Sequence, residues 1–145
     1  MDRTSIHPAT DDELGYVESL LDAADLPTAD VRSGDATFYL ARRGGERVGV
    51  GGLEVHGADG LLRSLVVEES ARGEGIGNAL CTGLEGEAGR AGVGTLFLLT
   101  TTAAAFFAAR GYERVERSAV PTAIRGTAQF GELCPATATC LRKGL

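Results

Sequence analysis

Immediately after Val67 the spacing of apolar residues changes from every second position to about every 3.6. Three glycines, Gly73, Gly75 and Gly77, stand at the change. The first period belongs to an extended strand and the second to a helix, so the chain must pass from one to the other through Arg72-Gly73-Glu74-Gly75-Ile76-Gly77. A strand that feeds directly into an amphipathic helix has to share its sheet with that helix, which confines the chain to an α/β arrangement.

The remaining segments fit around this junction. Arg3 to His7 reads as an opening strand, and Thr10-Asp11-Asp12-Glu13 has the form of a capping box. The helix behind it places Leu14, Val17, Leu20, Leu21 and Ala24 on one face and stops before Pro27. Thr37 to Arg42, Arg47 to His56 and Leu61 to Val67 read as an antiparallel meander, with turns at Gly44-Gly45 and at Gly57-Ala58-Asp59-Gly60. After the junction, Ile76, Leu80, Leu84 and Ala88 mark a helix to about Ala91, with Gly92 suited to a left-handed C-terminal residue. Thr95 to Leu99 is a short, continuously apolar strand, expected to be buried on both faces. A helix over Ala103 to Arg110, a strand over Tyr112 to Arg117, a helical turn begun by Pro121 and a strand over Ala136 to Arg142 complete the series. The expected architecture is one domain over residues 1–145, with a mixed, mostly antiparallel sheet of about six to seven strands flanked by helices.

Composition removes several classes of function. Fourteen basic residues against twenty acidic ones leave a net charge of −6, which repels nucleic-acid phosphates and anionic membranes. No apolar run approaches the roughly 20 residues of a membrane helix, and the N-terminal segment lacks the pattern of a secretory signal. A cytoplasmic location is expected. Cys81, Cys134 and Cys140 have no CxxC spacing and there are only two histidines, so the expectation is reduced core thiols and no metal site.

The glycine junction suggests chemistry. A diphosphate needs several converging donors, and the N–H groups at a helix start are both unpaired and aligned with the positive end of the helix dipole. Glycines permit close approach and the positive φ values of an anion nest. Arg72 can cap the phosphates from the side. The segment is not a P-loop, since Asn78 and Ala79 follow Gly77 where Lys-Ser/Thr is required, and its glycines do not have the dinucleotide-binding spacing.

Arg72, Gly75 and Gly77 match the Gln/Arg-x-x-Gly-x-Gly/Ala signature of the GNAT family of N-acetyltransferases, which the chain therefore resembles. A second match lies at the family's distance and in its order: Ala103, Gly111 and Tyr112 agree with Asn-x-x-Ala-x-x-x-Tyr-x-x-x-Gly-Phe. Thr100 stands where that pattern has Asn, and Phe107 where it has the Tyr that many members use as general acid. The run from Leu96 to Thr101, with Phe106-Phe107 and Gly111-Tyr112, is similar to the acetyltransferase domain of N-acetylglutamate synthases. Gly52-Leu53-Glu54, Leu62-Arg63-Ser64-Leu65 and Leu133-Cys134-Pro135-Ala136 resemble the small N-acetyltransferases found with arsenic-resistance genes. The basic residues that the synthases carry near Leu133 to Thr137 are missing, and the amino-acid-kinase domain of their long forms is not expected here.

The resemblance implies a GNAT fold splayed between its fourth and fifth strands, with acetyl-CoA as co-substrate and a small-molecule amine, an amino acid or amino-acid-like compound, as acceptor. Cofactor contacts would come from Leu65, Val66 and Val67 as a strand for pantetheine, from Arg72, Gly73, Glu74, Gly75, Ile76, Gly77 and Asn78 around the diphosphate, and from Thr100 and Phe107. The backbone N–H of Leu65 or Val66 would polarise the acetyl carbonyl. Glu54 is the candidate base, acting through water, with a base carried by water alone as the alternative. Ser64 and Thr101 offer hydroxyls near the cleft, and Arg63 and Arg125 offer cations for a substrate carboxylate. Glu68 and Glu69 read as surface charges and Tyr112 as a core residue. A homodimer stays open. The rival reading is an acyl-CoA-binding sensor without turnover, favoured by Phe107 and Thr100.

Overall fold

The structure is a computed structural model, and it describes residues 4–127 and 138–145 apart from 27, 30, 33, 35 and 102. Arg3, Pro27 and the Leu133 to Thr137 segment, all named above, lie outside the described residues. Among those described there are seven strands: β1 (Thr4–Pro8), β2 (Thr37–Arg43), β3 (Glu46–His56), β4 (Asp59–Val67), β5 (Thr95–Thr100), β6 (Glu113–Arg114) and β7 (Thr139–Gly144). They form one sheet in the order β1-β2-β3-β4-β5-β7-β6. Four helices accompany it: α1 (Leu14–Ala23), α2 (Ile76–Arg90), α3 (Ala104–Ala109) and α4 (Thr122–Arg125). No helix among the described residues is long and apolar enough to cross a membrane.

The meander and the strand-to-helix junction stand where the apolar periods put them. Two elements differ. The strand expected over Tyr112 to Arg117 shrinks to the two residues of β6, which pair with Leu141 and Arg142 at the sheet edge before the chain turns at Arg117–Ala119. With pairing available on one side only, little holds a longer edge strand there. The last strand runs Thr139–Gly144, so that it pairs along the whole of β5, from Thr95↔Gly144 to Thr100↔Thr139.

Helices cover the two faces separately. Val17 and Leu21 of α1 are fully buried against Phe38, Leu40 and Val50 on one face. On the other, α2 buries Leu80 and Leu84 completely. This second contact is close because β3 is glycine-rich: a Cβ on Gly51 would stand 2.6 Å from Leu84 Cδ1. Ile124 of α4 joins Leu61, Phe97 and Cys140 in a smaller cluster. Cys81 and Cys140 are free and buried, and burial pushes the Cys81 thiol up to about 11.

The start of α1 is held by Glu13, whose carboxylate accepts the Thr10 N–H at 3.1 Å and the Arg42 guanidinium at 2.6 Å. The Thr10 amide first, and then Arg42, hold this carboxyl below its ordinary range of 4.5, against the opposing effect of burial. A depressed carboxylate adds stability above its unfolded pKa and loses it as pH falls through the folded value. Wild type is therefore expected to be more stable than Glu13→Gln at neutral pH, with the gap closing below about pH 4.5. Urea midpoints of both proteins across the acid range measure this.

Candidate functional site

The site begins with a strand that cannot stay in register. Val50 pairs with Val66 and Gly52 with Arg63, so the single residue Gly51 faces both Ser64 and Leu65. The extra residue is a β-bulge, and Ser64 adopts φ 56 to make it. A bulge bends and twists its strand. On the far side, β4 pairs with β5 in parallel only from Asp59↔Thr95 to Leu61↔Phe97. Beyond that point the two strands part, and the peptide groups of Leu62 to Val67 that point toward β5 have no strand partner.

A cleft of about 830 Å³ occupies the gap. Leu65, Val66 and Val67 form one wall, Leu98 to Thr101 the other, and Phe106 and Phe107 close one end. Ala24, Asp25 and Leu26, just past α1, line it from the opposite face of the sheet. It therefore passes through the sheet plane.

At the α2 side the glycine loop meets the cleft through Arg72 and Gly77. Gly73 and Gly75 both have φ 81, a conformation that L side chains resist, and nothing in the protein lies within 4 Å of where their Cβ atoms would be. Backbone conformation, not crowding, requires glycine here. The first donation inside α2 is from the Ala79 N–H to the Gly75 carbonyl, which leaves the N–H groups before it without helical acceptors. Unpaired N–H groups at the positive end of a fifteen-residue helix suit a diphosphate. Of the other loop residues, Glu74 pairs with Arg43 at 2.9 Å, Ile76 is a core residue, and the Asn78 amide oxygen accepts from Arg110 at 3.0 Å. These three can offer a ligand their backbone, while their side chains serve the protein.

The Acetyltransferase (GNAT) domain model matches residues 34–114, more than half of the 145-residue chain. The chain belongs to the GNAT acetyltransferase family. An IAA acetyltransferase from Azospirillum brasilense is 37% identical over 83 residues, 56% of this chain and 51% of that protein. The match thus spans about half of the relative's length. A Mycobacterium tuberculosis protein in complex with CoA superposes with a TM-score of 0.81 at 21% identity, over 97% of this chain and 99% of that one. N-acetylglutamate synthase from Neisseria gonorrhoeae, complexed with coenzyme A and N-acetyl-glutamate, superposes with a TM-score of 0.81 at 19% identity. That match covers 99% of this chain and 35% of the synthase. Such identities establish the fold.

Within this GNAT domain several expected residues converge on the cleft and others do not. Ser64, Thr100, Thr101 and Phe107 line it. The Thr100 hydroxyl accepts the Ala103 N–H at 3.0 Å and so caps the turn into α3. Phe107 is held edge-on between Phe106 and Tyr112, at centroid distances of 5.1 and 5.4 Å. Tyr112 donates to Glu85 at 2.9 Å, and burial together with that carboxylate raises its pKa, so it is a core residue as expected. Arg125 is exposed beside Thr122 and is absent from the cleft wall. Glu68 is not a free surface charge, because it accepts the Tyr16 hydroxyl at 2.9 Å.

Glu54 and Arg63 differ most from expectation. Instead of reaching toward the cleft through water, Glu54 is buried, absent from the cleft wall and paired through both oxygens. One oxygen lies 3.1 Å from His56 Nε2 and the other 3.2 Å from Arg63 Nη1. Arg63 does line the cleft, but its side chain is fully covered, stacked 5.7 Å from the Phe38 ring centroid and donating to Ser64 Oγ at 3.2 Å. Strand alternation explains the meeting: Gly52 pairs with Arg63, and Glu54 lies two residues further along the same face.

Asp25, Leu26 and Ala138 also line the cleft and were not legible in the motifs. The available signal was an Asp where a helix C-terminus favours Gly.

Removing one member of the buried pair takes away the other's oppositely charged partner at 3.2 Å, a change that costs about 3–5 kcal/mol in buried pairs. Glu54→Gln and Arg63→Met are each expected to lose that much in chemical denaturation. The double variant should lose less than the sum of the two.

Proposed function

We propose that the protein transfers an acetyl group from acetyl-CoA to the primary amine of a small, amino-acid-like molecule by direct attack. The observation that carries this reading is the gap between β4 and β5 with the amino end of α2 opening beside it. A pantetheine arm needs unpaired strand groups, a diphosphate needs unpaired helix N–H groups, and the acceptor needs access from another direction. The cleft offers all three.

In this reading the Gly73 to Gly77 amides and Arg72 hold the diphosphate, and the backbone of Leu65 to Val67 takes the pantetheine as an added strand. The bulge at Ser64 turns an amide of Leu65 or Val66 toward the thioester carbonyl, where it stabilises the oxyanion. The neutral amine attacks the carbonyl carbon, a C–N bond forms, the C–S bond breaks and the coenzyme leaves as thiolate. The amine proton passes to water, and Ser64, already accepting from Arg63, and Thr101 orient that water. Phe107 supplies no proton, and with a thiol pKa near 8.5 the thiolate departs without one. Glu54 acts on Arg63, not on the amine.

The absence of a hydroxyl at Phe107 and the engagement of Glu54 favour one alternative, an acyl-CoA sensor that binds without turnover. Thiol release from acetyl-CoA across a panel of amino acids and simple amines decides between them, because a sensor releases none. The coenzyme assignment has its own test in Gly77→Asp. An acidic residue in the first turn favours the helix, and a Cβ there meets only the Phe106 ring at 3.4 Å and looser neighbours, so the variant should fold. Its carboxylate would face the phosphates, and calorimetry should show acetyl-CoA affinity reduced by roughly a hundredfold or more, the equivalent of about 2.7 kcal/mol. Unchanged affinity would remove the loop from the site.

A further inference from the structure

Among the described residues, three charged ones line the cleft: Arg72, Arg63 and Asp25. Arg72 belongs to the coenzyme end, where its Nε donates to the Val67 carbonyl at 3.3 Å. The Arg63 charge is balanced by Glu54 at 3.2 Å. Asp25 is thus the only carboxylate on the described cleft wall, and among the described residues none donates a hydrogen bond to it or forms an ion pair with it. It is exposed, and α1 sets it on the sheet face opposite α2, away from the glycine loop.

The position is held by its backbone. The Asp25 N–H donates to the Asp22 carbonyl and the Leu26 N–H to the Leu21 carbonyl, which closes α1 with Asp25 at φ 58. Glycine and asparagine suit that conformation at least as well as aspartate. Folding therefore does not demand a carboxylate at this point.

We infer that Asp25 is an acceptor-binding residue, which receives the alkylammonium group of the incoming amine at the α1 mouth of the cleft. This rests on the acetyl-transfer reading above. A substrate amine arrives protonated at neutral pH, since alkyl ammonium groups titrate near 10.4. An uncompensated carboxylate at the mouth attracts that cation and holds it through a charge-assisted hydrogen bond. Once the proton is lost to water, the neutral amine is released from the carboxylate and faces the thioester. The chemical class selected is a primary alkylammonium, with or without a neighbouring carboxylate.

The test uses Asp25→Asn and Asp25→Gly in the full chain, with thiol release measured against amino acids and against amines lacking a carboxylate. Acetyl-CoA affinity is measured by calorimetry and folding by thermal melts. The expected result is a rise of roughly tenfold to a hundredfold in acceptor KM in both variants, the size of a lost charge-assisted hydrogen bond. Acetyl-CoA affinity should be unchanged, and Tm should be equal to wild type or higher. Raising the ionic strength should raise KM in wild type and leave it unmoved in the variants. If wild type turns over and the variants match its KM, Asp25 only closes the helix and the inference falls alone. If wild type binds acetyl-CoA and releases no thiol with any amine, the transfer reading falls and takes the inference with it.

Discussion

Everything about the site depends on two neighbouring strands failing to pair. β4 and β5 share only the register from Asp59↔Thr95 to Leu61↔Phe97. A parallel pair left open is costly, because each exposed peptide group surrenders a hydrogen bond that a continuous sheet would satisfy. The structure supports the opening from both sides: Ser64 at φ 56 bulges β4, while β5 is held along its length by β7. The bulge stores its strain next to the groups it exposes, where strained residues concentrate in functional sites. Gly51 opposite permits both the bulge and the close seating of Leu84 from α2.

Charge is distributed so that the two ends of the cleft differ. The end beside the start of α2 is positive without any lysine, by way of the α2 N–H groups and Arg72. Behind the cleft wall, the buried Arg63 and Glu54 and the half-buried His56 form a chain in which the cost of burying Arg63 and Glu54 is offset by their pairing. Among the described residues, the mouth beside α1 retains one unbalanced carboxylate, Asp25. In the transfer proposed above, potentials of opposite sign at two entrances are a physical basis for keeping an anionic donor and a cationic acceptor apart until they meet at the gap.

Local patterning carried much of the fold into view. Apolar period two predicted the meander, the capping box predicted Glu13 at the start of α1, and the glycines after Val67 predicted a helix start with positive φ, which Gly73 and Gly75 adopt. These features are decided by contacts a few residues apart, so they can be read from a few residues. The two-residue β6 was not legible, since edge-strand length depends on how much of β7 remains unpaired. Nor was the partner of Glu54: a strand carboxylate reads as solvated until the register brings an arginine beside it.

The sequence by itself determined the α/β class, the strand-to-helix junction with its glycines, and the family resemblance that the domain match bears out. Only the tertiary structure decided where the sheet opens, that Arg63 meets Glu54 before it meets any ligand, and that Asp25 reaches the same cleft as Gly77. The physical reason is range. Backbone propensity and helix-terminal donors act within one or two turns, whereas a cleft wall and a buried ion pair join residues from separate elements through strand register and packing.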